Sequence, residues 1–96
     1  MIAYEERRKI YEAAIDTNGI ERQIMVAVEE MAELTKELAK AFRPQGTTLE
    51  KLTDEIADVT IMMEQLRLIF GVNVSVQERM DFKVRRLQTR LEGDIL

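Results

Sequence analysis

Apolar residues recur every three or four positions along almost the whole of this chain, and only three short breaks interrupt them. That spacing is the period of an α-helix with one buried face, and the strict alternation of a half-buried strand is absent. From about Ala3 to Asp16, the residues Ala3, Ile10, Tyr11, Ala14 and Ile15 share one side, and Thr17-Asn18-Gly19 ends the stretch. A second helix is expected from about Ile20 to Phe42, with Ile24, Ala27, Val28, Met31, Leu34, Leu38 and Phe42 at helical spacing, stopped by Arg43-Pro44-Gln45-Gly46. Thr47 followed by Glu50 reads as a capping box opening a third helix that runs to about Phe70, closed by Gly71. Ser75 followed by Glu78 reads as a second box, opening a last helix with Val76, Met80, Val84, Leu87 and Leu91 as its stripe and Gly93 as its end. Val72-Asn73-Val74 is too brief for a strand and reads as a connection.

The expected fold is all-α, a four-helix bundle-like protomer formed by one domain spanning residues 1–96. The short loop between the two central helices requires them to pack antiparallel. A chain of 96 residues buries a modest core, and its apolar stripes are broad, with Ile61 and Met63 spread around the third helix. Packing into a homo-oligomer is the expected way to cover them.

Composition excludes several classes of function. A net charge of -4 gives no general attraction to nucleic acid or to an anionic membrane. No apolar run approaches the roughly 20 residues needed to span a bilayer, and MIAYEERRKI lacks the apolar core of a signal peptide, so a cytoplasmic protein is expected. The chain has no Cys and no His, which removes disulfides, thiol nucleophiles and the commonest general base.

Four carboxylates stand out against this pattern. Glu30 and Glu33 sit in the second helix and Glu55 and Asp58 in the third, each pair three residues apart and therefore on one side of its helix. Glu55 falls in the middle of the arc made by Leu52, Val59, Met62, Leu66 and Ile69, which the helix should bury. Glu30 lies near one edge of its stripe, between Val26 and the pair Ala27 and Leu34, and Glu33 and Asp58 lie further toward the margin. An ionised carboxylate on a buried face is very unfavourable unless it is neutralised, paired or metal-bound. The competing view is an amphipathic bundle with charged margins and interhelical ion pairs, and the central position of Glu55 argues against it. With only oxygen ligands on offer the expected cation is Mg²⁺, with Mn²⁺ as the other choice, and magnesium is typically shared with substrate phosphates.

The run Glu29-Glu30-Met31-Ala32-Glu33-Leu34, followed by Glu55-Ile56-Ala57-Asp58-Val59 with 21 residues between Glu33 and Glu55, resembles the paired signature of the MazG-like all-α nucleoside triphosphate pyrophosphohydrolases. The likeness covers about residues 20 to 92. It implies an enzyme that hydrolyses the bond between the α- and β-phosphates of a nucleoside triphosphate, releasing a monophosphate and pyrophosphate, as in nucleotide-pool housecleaning. It also implies that Glu30, Glu33, Glu55 and Asp58 ligate Mg²⁺, and that the chain works as a homodimer or a dimer of dimers. Gln23, Lys83 and Arg86 or Arg90 resemble, more loosely, polar positions that such relatives often carry, and Gln23, Lys83 and Arg86 are the expected substrate-binding residues.

Glu37, one turn beyond Glu33, is a candidate second-shell residue or extra ligand, with pairing to Lys36 or Lys40 as the plainer reading. Glu29 faces away from Glu30 and suits solvent. Arg79, Lys83, Arg85, Arg86 and Arg90 make the last helix basic, and Lys83 borders its apolar stripe, which suits triphosphate oxygens. No nucleic-acid-binding motif accompanies that cluster. Without Trp, the stacking candidates for a base are Tyr4, Tyr11, Phe42, Phe70 and Phe82, with Met62 and Met63 as adaptable apolar surface, and all of them fit core packing equally well. Two other functions fit the same residues: a non-catalytic helical interaction module, and a Mg²⁺-nucleotide sensor without turnover.

Overall fold

A computed structural model describes residues 1–93 as four helices: α1 (Tyr4–Asn18), α2 (Ile20–Lys40), α3 (Leu49–Ile69) and α4 (Asn73–Leu91). No strand occurs among the described residues. The helix order matches the apolar periodicity, and the boundaries differ where capping decides them. α2 stops at Lys40, and residues 41–46 form successive turns before α3. Thr48, not Thr47, caps α3, its hydroxyl accepting from the backbone N–H of Lys51 at 3.1 Å. Thr47 instead donates to Glu37. α4 begins at Asn73 with no side-chain cap, so the expected Ser75 box does not form and the 72–74 connection is mostly the first turn of the helix.

Gly19 alone joins α1 to α2. Its φ of 91° and ψ of 151° lie in a region open essentially to glycine. Its N–H closes on the carbonyl of Ile15 at 2.8 Å while its own carbonyl receives the N–H of Gln23 at 3.1 Å. One residue therefore ends one helix and starts the next.

The centre of the fold is the antiparallel pair α2 and α3. Gln23 donates from Nε2 to Oε1 of Gln65 at 2.7 Å, both side chains being buried. Seven residues along α2 and seven back along α3, Glu30 meets Asp58. Seven residues are two helical turns, so the two helices keep one facing line throughout. Ala27 and Met62 are buried between these levels, and the small Ala27, 1% exposed, suits close approach of two helix backbones. Asn18 closes the polar end, donating from Nδ2 to Oε1 of Gln23 at 3.0 Å.

α1 lies across both central helices and is tied to α3 by one carboxylate. Glu64 receives Nε and Nη2 of Arg7 at 3.2 and 3.1 Å and the hydroxyl of buried Tyr11. Burial alone would raise the Glu64 carboxyl, but the bonds from Arg7 and Tyr11 outweigh it and hold the group below its ordinary value. α4 packs on α3 alone, apart from a side-chain hydrogen bond from Asn73 to Tyr4 at 3.4 Å, and buries none of its residues. Among the described residues no helix is long and apolar enough to cross a membrane.

The Gln23–Gln65 bond predicts an asymmetric mutational response. Gln65→Leu leaves a buried amide donor unsatisfied and should cost about 1–3 kcal/mol in chemical denaturation, whereas Gln23→Leu with Gln65→Leu should recover most of that loss. Equal destabilisation by the single and the double variant would show that the bond does not set the seam.

Candidate metal centre

Two turns from the glutamine pair, the α2–α3 seam becomes acidic. Glu30, Glu55 and Asp58 each bring a carboxylate oxygen to one point, all three oxygens lying within 4.8 Å of one another. Glu30 and Glu55 are half-buried, whereas Asp58 opens to solvent. Antiparallel packing explains the convergence: Glu30 on α2 faces Asp58 on α3, and Glu55, three residues back along α3, projects from the same side. Oε2 of Glu55 is closed off from solvent and has no hydrogen-bond partner among the described residues.

The electrostatics follow from this crowding. Burial is the main cause that lifts the Glu30 carboxyl above its ordinary value, followed by the charges of Asp58 and Glu55. Glu55 is raised by burial first, then by the charges of Asp58 and Glu33, with Glu37 and Asp54 adding to the effect. No ion pair among the described residues includes Glu30, Glu33, Glu55 or Asp58. A group of like charges with a blind acceptor and no cationic side chain has the donor chemistry of a hard-cation site. Oxygen-only ligation suits Mg²⁺ or Mn²⁺, and Glu30, Glu55 and Asp58 are the residues that would hold the ion.

The other expected residues fall around this centre in different ways. Glu33 is exposed on the rim, outside the group of three, although its charge still reaches both Glu30 and Glu55. Glu37 is buried, and both its oxygens are engaged: Oε1 receives Thr47 Oγ1 at 2.7 Å and Oε2 pairs with Lys40 at 3.4 Å. The Thr47 bond is the first cause holding its carboxyl below the ordinary value. Glu37 therefore pairs with Lys40 and fastens the turn before α3, while acting on Glu55 through its charge. Gln23 is a buried member of the seam, bonded to Gln65 and Asn18. Lys83 and Arg86 are exposed on α4, and within one chain α4 makes no packing contact with α2. Met62 is core, and Met63 lines a groove between α3 and α4.

Gln65 and Glu64 were not singled out in the sequence. Gln65 lies three residues after Met62 and four before Ile69, inside the same apolar arc that marks Glu55, so the same test finds it. Glu64 lies off that arc, and its value depends on Arg7 and Tyr11, more than fifty residues away in sequence.

Compared with known protein families, with curated proteins and with solved structures, the chain matches none of them.

The raised carboxyls predict a pH signature for the metal-free protein. A carboxyl raised by folding binds its proton more tightly in the folded chain, so stability falls as pH rises through that raised value. Glu37 and Glu64 act oppositely, losing their contribution as pH falls through their lowered values. In chelator, Tm should climb as pH drops from neutrality toward about 5, the upper edge of the usual carboxylate range, and decline at lower pH. Glu55→Gln should raise the chelator Tm at neutral pH. A Tm indifferent to pH above the ordinary carboxylate range, in both proteins, would mean that neither burial nor neighbouring charge perturbs these carboxyls.

Proposed function

We propose that this protein is a Mg²⁺-dependent nucleoside triphosphate pyrophosphohydrolase that cleaves between the α- and β-phosphates and works as a homodimer or a dimer of dimers. The observation that carries the reading is the convergence of Glu30, Glu55 and Asp58 from two helices, with the blind, unpartnered Oε2 of Glu55 among them. The resemblance of Glu29 to Leu34 and Glu55 to Val59 to the MazG-like signature supplies the reaction class.

When bound, the cation supplies neutralisation of phosphate charge and polarisation of the attacking water. The chain's own residues do the rest. Glu30, Glu55 and Asp58 fix the charge at the seam between two rigid helices, where the seven-residue line sets their spacing. Glu33, one turn from Glu30 and exposed, is the fourth ligand that the resemblance implies, and one carboxylate of the set accepts the proton of the attacking water. Lys83 and Arg86, on the basic α4, supply cationic contacts to the polyphosphate. Within one chain α4 stands away from α2, so in this reading those contacts come from a neighbouring copy.

Pyrophosphate release from a panel of canonical and modified nucleoside triphosphates, with Mg²⁺ or chelator, tests the reading. Wild type should turn over at least one triphosphate only with the metal, and Glu55→Gln should lower kcat/KM by at least ~100-fold, as expected when a group that holds a metal loses its charge. Metal-dependent nucleotide binding without release would leave a nucleotide sensor. No release and a Tm blind to Mg²⁺ would leave an interaction module.

A further inference from the structure

The fold leaves far more surface open than a chain of this size normally does. It exposes 7673 Å² for 11.2 kDa, against about 5,700 Å² for a folded monomer of that mass. Its radius of gyration is 16.7 Å, against about 12.5 Å for a compact domain of this length. Much of the excess is apolar and organised. On α4, Val76, Met80, Val84, Leu87 and Leu91 fall on one stripe. Its first two members join Met63 and Leu66 of α3, with Phe70 just after it, in an apolar groove at the elbow. Beyond the elbow the helices diverge. Val84 is 60% exposed, Leu87 54% and Leu91 78%, while on α3 Ile56, in line with Met63, is 52% exposed.

We propose that the open angle between α3 and α4 is the interface with a second copy of this chain, each copy laying its α4 along the partner's α3. Three observations choose that occupant. The excess surface is about 2,000 Å² per chain, so a two-fold pair covering it would bury an area typical of obligate dimers. α4 carries Arg79, Lys83, Arg85, Arg86 and Arg90 against Glu78 and Asp81, a net charge of +3. α3 commits Glu55 and Asp58 to the acidic centre and Glu64 to Arg7 and Tyr11, and the side it leaves open is apolar, with Ile56 in line with Met63. Each copy thus offers one striped helix and one apolar opening, and a two-fold axis fills both openings at once. Two α4 helices laid together would oppose like charges, which selects the exchange over an α4 to α4 pairing. The inference gives the oligomer of the preceding section a specific surface, and it stands whether or not triphosphate is hydrolysed.

Sedimentation and crosslinking test it. Wild type at about 100 µM, above the dissociation constants typical of interfaces this large, should sediment at twice 11.2 kDa, or at four times that mass if dimers pair again. Val84→Asp with Leu87→Asp, which alters side chains exposed in the single chain, should sediment at half the wild-type mass while keeping its far-ultraviolet helical signal. The chain has no native Cys, so differently tagged Leu87→Cys and Ile56→Cys proteins can be mixed and treated with a bismaleimide. They should crosslink to each other, whereas Leu87→Cys with Met25→Cys, on the far side of α2, should not. A monomeric wild type overturns the proposal. So does an assembly that keeps its mass with both aspartates, or that crosslinks through Met25 and not through Ile56. If the aspartate variant loses helix, the crosslinking pair decides alone.

Discussion

Everything in this fold is hung on the facing line between α2 and α3. Two helices of 21 residues each meet along a seam whose members recur at seven-residue steps, Gln23 opposite Gln65 and Glu30 opposite Asp58. Slipping one helix by a single turn would part the glutamines and separate the carboxylates together. A neutral hydrogen-bonded pair at one level and a repelling acidic group at the next have opposite energetic signs, yet they share one register. The first favours the register that the second requires.

The secondary structure was legible because the apolar period runs through each helix, and the helix ends were less so because capping depends on single hydroxyls. Thr47 and Thr48 are adjacent and chemically alike, and which one caps α3 is decided by Glu37, a residue on another helix that takes up the first. The carboxylate centre was legible for a different reason. Glu55 stands on an apolar arc, where its position is unfavourable without a partner, and the structure gives its Oε2 none. Glu33 and Asp58 both read as marginal and both are exposed, and only Asp58 joins Glu30 and Glu55 at one point, a difference that helical spacing within either helix does not carry. Long-range partnerships such as Arg7 and Tyr11 with Glu64 leave no periodic trace, since a lone charged residue beside a stripe looks like any solvated one.

The bundle-like expectation describes α1, α2 and α3, while α4 departs from them because only α3 receives it. Its apolar stripe is as regular as those of the packed helices, so the sequence pattern alone does not tell a helix that packs within its own chain from one that stays open. Burial separates them: α1, α2 and α3 each carry buried side chains and α4 carries none.

The single-residue junction at Gly19 makes chain length part of the information in α1. Helical residues advance about 100° around the axis, so one residue added or removed between Tyr11 and Gly19 would swing Arg7 and Tyr11 to another side and away from Glu64. A longer linker would absorb such a change in its own slack, and here there is none. The segment should therefore accept many substitutions on its outer side over evolutionary time while its length between those two positions stays constant.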